Sequence, residues 1–127
     1  MRPPPGVVLD AGAFIALERR DRVMTHLAKR LTETRTPLVT STGVVAQVWR
    51  GGGHAQVPVS YLLRHTTVID LTYAAARLLG RMLGATRSRD PIDAHVAMLA
   101  RERGWPVISS DADDLLAIDP SLTIQAI

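Results

Sequence analysis

Three aspartates far apart in the chain carry the chemistry this sequence offers. Asp10 follows the apolar run Val7-Val8-Leu9, Asp93 follows Asp90-Pro91-Ile92, and Asp111 follows Val107-Ile108-Ser109-Ser110. Carboxylates brought close together raise one another's pKa and strain the fold unless a proton or a cation neutralises them. The chain has no cysteine, so the remaining donors are oxygens, and the cation that suits them is Mg²⁺ or Mn²⁺, with open positions for water and substrate phosphate. Asp114, three residues beyond Asp111, can face the same place from the following helix. Taken singly, Asp10, Asp90 and Asp111 each also read as helix caps, and Asp93 as a first-turn acid favoured by the helix dipole.

The elements that must position these groups follow from periodicity and punctuation. Val7-Val8-Leu9 reads as a short buried strand and residues 13–17 as the helix after it, with Asp10 at the junction. A helix over 21–31 precedes a strand at 38–40, and Ser41 or Thr42 caps a helix whose stripe is Val44, Val45, Val48 and Trp49. Gly51-Gly52-Gly53 ends that helix, and a further helical stretch covers 58–64. A strand at 66–69, a helix from Thr72 through Leu83, the acidic helix opened by Asp90 and Pro91 and closed by Gly104, and a strand at 107–108 come next. Residues 122–124 read as a fifth, edge strand. Alternating strands and helices imply an α/β domain with a mainly parallel sheet flanked by helices, whose ligands bind at the carboxyl ends of the strands. If the first and fourth strands are neighbours, Asp10 and Asp111 face one another and Asp93 joins them.

The length of 127 residues suits one domain over 1–127, with residues 1–5 as a short proline-rich leader. Aromatics are only 4%, so the core is built from Val, Leu, Ala and Ile and few platforms for base stacking exist. Fifteen basic residues against twelve acidic give +3, and all the basic ones but Lys29 are arginine, the side chain matched to phosphate by its planar fork. Asp10 interrupts the first apolar run, which argues against a signal peptide or spanning helix and for a cytoplasmic protein. No His pair of the zinc-enzyme kind is present among His26, His54, His65 and His95.

Val-Val-Leu-Asp10-Ala-Gly-Ala-Phe, the stretch Thr40-Ser41-Thr-Gly-Val-Val-Ala-Gln47-Val-Trp-Arg, Asp90-Pro-Ile-Asp93-Ala-His and Ser110-Asp111-Ala-Asp113-Asp114-Leu resemble the successive motifs of PIN-domain ribonucleases, in particular the VapC toxins of bacterial toxin–antitoxin pairs. The resemblance covers nearly the whole chain in order and spacing. It implies a Rossmann-like sheet, an RNA substrate, dependence on Mg²⁺ or Mn²⁺, a homodimer and a small VapB-type antitoxin. Asp10, Asp93 and Asp111 match three members of the family's acidic quartet, and Asp114 a commonly acidic position beside it.

Two positions depart from the pattern: Gln47 stands where the family usually has glutamate, and Gly12 where it has a hydroxyl or asparagine side chain. Glutamine keeps a carbonyl oxygen for a metal or its water but lacks the charge and cannot act as a base. The leading expectation is a metal-dependent endoribonuclease with Asp10, Asp93, Asp111 and Gln47 at its centre. The alternative is a PIN-like module that binds RNA or antitoxin without turnover. An unrelated phosphatase or nucleotide-binding domain ranks last, since no Gly-rich phosphate loop follows Leu9. Arg87 and Arg89, at the entry to the acidic helix, and Arg50, before the triple glycine, are the candidate RNA contacts. Leu78, Leu79, Met82 and Leu83 form an apolar stripe that serves the core, a dimer or both.

Overall fold

The structure, a computed structural model, describes residues 5–127; most of the expected leader lies outside the described residues. Five parallel strands form one sheet in the order β3-β2-β1-β4-β5: β1 Val7–Leu9, β2 Leu38–Ser41, β3 Thr66–Ile69, β4 Val107–Ser109 and β5 Ile124–Ala126. Every residue of β1, β2 and β4 is buried, as strands covered on both faces must be, and this explains the consecutive apolar residues with which each begins. The helices are α1 Ala11–Glu18, α2 Arg22–Glu33, α3 Thr42–Val48, α4 Val57–Arg64, α5 Tyr73–Gly84, α6 Pro91–Arg103 and α7 Ala112–Ile118. The main core gathers Phe14, Leu17, Met24, Leu62, Val96 and Leu99 around the strands. A smaller cluster of Leu79, Ala94, Ala97 and Ile118 joins α5, α6 and α7.

Strands β1 and β4 are neighbours, with Leu9 opposite Ile108. The chain builds β1, β2 and β3 outward on one side and β4 and β5 on the other, so strand order reverses between β1 and β4. That crevice is where sheets of this type bind ligands.

The local signals act as their chemistry requires. Asp90 opens α6 by accepting from the backbone of Ile92 (2.9 Å) and Asp93 (3.2 Å), Pro91 fills the first turn, and Gly104 closes the helix at φ 69°. Two details depart from the sequence expectation, at the fifth strand and at Trp49, and a third point that the sequence left open, the α5 stripe, is resolved. The fifth strand begins two residues late, because the Asp119 carboxylate accepts from Ser121 N (2.9 Å) and Oγ (2.6 Å) and its carbonyl accepts from Leu122 N, holding residues 119–122 in a turn. Trp49 does not complete the apolar face of α3. The helix ends at Val48, Trp49 is extended and 38% exposed, and its ring lies over Gly52. In α5 the apolar stripe divides: Leu79 is buried, Met82 and Leu83 pack against it, and Leu78 points outward at 58% exposure.

Gln56 carried no signal in the sequence, yet it organises the triple-glycine loop. Its side-chain oxygen accepts from Arg50 N (2.8 Å) and Gly52 N (3.1 Å), and its amide donates to Val48 O (2.7 Å) and Glu18 Oε2 (2.7 Å). With Gly51, Gly52 and Gly53 all at positive φ, the loop has little rigidity of its own. Gln56→Ala should therefore cost about 2–4 kcal/mol in chemical denaturation, since four hydrogen bonds vanish and buried groups lose their partners. An unchanged midpoint would show the loop to be held otherwise.

Candidate active site

Asp10, Asp93 and Asp111 arrive at one edge of the sheet from three elements. Asp10 directly follows β1 and caps α1: one carboxylate oxygen accepts from Ala13 N at 3.0 Å, and the side chain is buried. Asp93 stands half-buried in the first turn of α6. Asp111 lies at the start of α7, where its own carboxylate makes no capping bond. Its backbone N–H is instead held by Ser109 Oγ at 2.8 Å. The cap reading thus describes Asp90, describes one oxygen of Asp10, and fails for Asp111.

The electrostatics show which acids converge. The Asp93 carboxyl is pushed up to about 6, first by burial and then by the charges of Asp90, Asp10, Asp114 and Asp111. Burial also raises Asp10, with Asp111 adding to the rise, while the Ser109 hydroxyl and the backbone of Ala13 and Gly12 work against it. Asp114, exposed on α7, is raised chiefly by Asp111. None of these acids has an ion-pair partner among the described residues: the acids that do are Glu33, Glu102 and Asp119. The repulsion is therefore uncompensated by protein cations, which fits an oxygen-only donor set made for a hard cation. The side chains do not yet close on a common point; among the described residues no three acidic or histidine groups stand close enough to hold an ion as they are.

The other candidates are placed separately. Gln47 lies half-buried near the end of α3 with no side-chain hydrogen bond among the described residues. The Arg50 guanidinium is bound to the Ala46 and Trp49 carbonyls at the end of α3 (3.2 and 2.7 Å). Arg87 and Arg89 are exposed and line one groove of about 580 Å³ with Thr86 and Ser88. His95 is buried on a face of α6 away from Asp93's: Nδ1 pairs with Ser41 Oγ at 2.6 Å, Nε2 has no partner among the described residues, and burial lowers its pKa. It acts as a neutral clamp between β2 and α6.

Ser110 is the residue that sequence reasoning missed. A Cβ built on Gly12 would collide with Ser110 Oγ and fall 3.2 Å from Asp10 Oδ1. The Ser110 hydroxyl thus occupies the space a side chain at position 12 would take, beside Asp10. The signal was present as a pair, a missing side chain at 12 and a hydroxyl at 110. Gly12→Ser must turn Ser110 away, at about 1 kcal/mol for this degree of crowding. In Ser110→Ala the same substitution should be nearly free. A double-mutant cycle on thermal stability reads this coupling; strictly additive effects would contradict it.

The PIN-domain family model matches residues 7–119. The chain belongs to the PIN-domain family. Solved structures similar to this PIN domain include DNA-bound VapBC from Salmonella typhimurium, at 17% identity and TM-score 0.69 over 95% of this chain and 97% of that one. PAE2754 from Pyrobaculum aerophilum is similar at 17% identity and TM-score 0.66, over 94% and 83%. FitAB bound to an IR36 DNA fragment is similar at 14% identity and TM-score 0.62, over 94% of each chain. At these identities the likeness speaks for the fold. No curated protein matches the chain in sequence. PIN domains are generally nucleases and typically use divalent metals. Among the described residues, no helix of this one is long and apolar enough to cross a membrane.

Proposed function

We propose that this PIN domain is a divalent-metal-dependent endoribonuclease acting as the toxin of a VapBC-type toxin–antitoxin pair. The observation that carries the reading is Asp93, half-buried among carboxylates at the starts of α1, α6 and α7 and driven up to about 6 with no cation to pair it among the described residues. Asp10, Asp93 and Asp111 would hold Mg²⁺ or Mn²⁺, with Asp114 at the rim. A bound divalent cation supplies an activated water for in-line attack on the phosphodiester and charge stabilisation at the leaving oxygen.

The chain's own groups set the conditions for that chemistry. Asp10 is fixed at the end of the sheet by its bond to Ala13 N. Asp93 exchanges its proton near neutral pH, so the site is readily charged when a cation arrives. Gln47 offers a neutral carbonyl oxygen that can orient a water but cannot take its proton. Ser109, fully buried, holds the turn that presents Asp111.

The solved relatives VapBC and FitAB are complexes of toxin–antitoxin pairs, which supports a small antitoxin as partner here; a homodimer is the assembly we assign with it. Induced expression should arrest growth, Asp93→Asn should not, and co-expression of an adjacent small reading frame should relieve the arrest. Growth unaffected by the wild-type chain would count against the toxin reading. The amide at Gln47 favours a second reading, a binding module without turnover.

A further inference from the structure

Residues 71–89 contain four arginines, Arg77, Arg81, Arg87 and Arg89, and no acid. The rest of the chain holds eleven basic residues against twelve acidic ones, so the whole positive excess of the protein lies in this one stretch. All four arginines are exposed, and none makes an ion pair or a side-chain hydrogen bond among the described residues. Arg87 and Arg89 stay unpaired although Asp90 and Asp93 follow directly in the chain.

The stretch is also shaped. Arg77 and Arg81 are one helical turn apart on the outer side of α5, beside a groove of about 370 Å³ that Leu78 also lines. Arg87 and Arg89 line the groove of about 580 Å³ at the end of the same helix, where Gly80 and Gly84 leave open space. Tyr73, at the start of α5, is 79% exposed, with the Arg77 guanidinium 5.9 Å from its ring centroid. From Tyr73 to the acidic helix α6 the protein thus presents an aromatic face, then two cations, Arg77 and Arg81, along a helix of about 18 Å, then Arg87 and Arg89 on the loop that follows it, then the carboxylates.

We infer that α5 and the loop 85–89 form a track for the single-stranded flank of the RNA, with Tyr73 stacking a base and Arg77, Arg81, Arg87 and Arg89 holding successive phosphates. The inference rests on the nuclease reading and adds where the strand lies. Arginine forks match phosphate oxygens, and base stacking on an exposed ring tolerates any sequence. Single-strand binding of this kind loses affinity steeply with salt, by a slope of about 0.7 per phosphate neutralised.

The test is fluorescence anisotropy of a labelled single-stranded RNA dodecamer against the intact chain in EDTA, across a salt series. Arg77→Gln with Arg81→Gln should weaken binding about tenfold and reduce the salt slope by about 1.4. Tyr73→Ala should weaken it about fivefold at unchanged slope. These positions are exposed, and circular dichroism checks that the variants fold. Affinity and slope equal to wild type in both variants would overturn the track. So would a change in sedimentation without a change in RNA binding, which would make α5 a surface for a second copy of the chain. Cleavage is followed in parallel in Mn²⁺: a wild type that cuts RNA while the variants bind normally refutes the track alone, and one that binds through these residues yet never cuts refutes the nuclease alone.

Discussion

Asp93→Asn is expected to abolish RNA cleavage and, at neutral pH, to make the protein more stable. Both effects come from the same crowding. The folded protein holds the Asp93 proton more tightly than the unfolded chain does, with a pKa of about 6 against 3.8. The stability this confers is fully present below the unfolded pKa and is lost as pH rises through the folded one. A shift of this size corresponds to at most about 3 kcal/mol, and solvent screening of a half-exposed site reduces it to about 1–2 kcal/mol. Asparagine keeps the shape and removes the charge, so its melting temperature at pH 7.5 should exceed that of wild type by about 4–8 °C. The two proteins should converge toward pH 4, where the wild-type carboxyl is protonated. Divalent cations should narrow the gap from the other side, since an ion bound only by the folded state stabilises it. Melting curves from pH 4 to 8, with and without Mn²⁺, read all of this. Equal stability of the two proteins at neutral pH would mean that Asp93 is not strained by its neighbours.

Gln47→Glu should tighten Mg²⁺ and Mn²⁺ binding by about tenfold or more and raise cleavage at limiting metal. In the proposed site three aspartates would meet the ion, and a fourth carboxylate on α3 would add attraction for a divalent ion of a few kcal/mol at most, after screening. The cost should appear as lower stability without metal, because the new charge joins a cluster that already repels itself. Metal titration by calorimetry separates the two effects. Identical affinities would show that Gln47 does not reach the ion.

Much of this was legible because it is local. The cap at Asp90, the stop at Gly104 and the apolar runs Val7-Val8-Leu9 and Val107-Ile108 each follow from a few neighbouring residues. So did the convergence of Asp10 and Asp111, once adjacent first and fourth strands were assumed. What was not legible depends on contacts distant in sequence. Gln56 is a hub because Glu18, Val48, Arg50 and Gly52 surround it, and none of these announces the others. Ser110 fills the space over Gly12 across ninety-eight positions. Trp49 left the core because α3 ended one residue earlier than its apolar spacing suggested. For the acids that the sequence proposed, the local bonding was not legible: that Asp111 makes no capping bond while Asp10 commits one oxygen is a matter of side-chain geometry.

The nuclease reading is tested most directly by incubating total cellular RNA with purified, antitoxin-free protein in Mg²⁺, in Mn²⁺ and in EDTA, with Asp93→Asn prepared identically. The expected result is a set of discrete fragments that require metal, are absent with the variant, and report the target through their ends. RNA left intact under every condition, or cut equally by the variant or in EDTA, would contradict it.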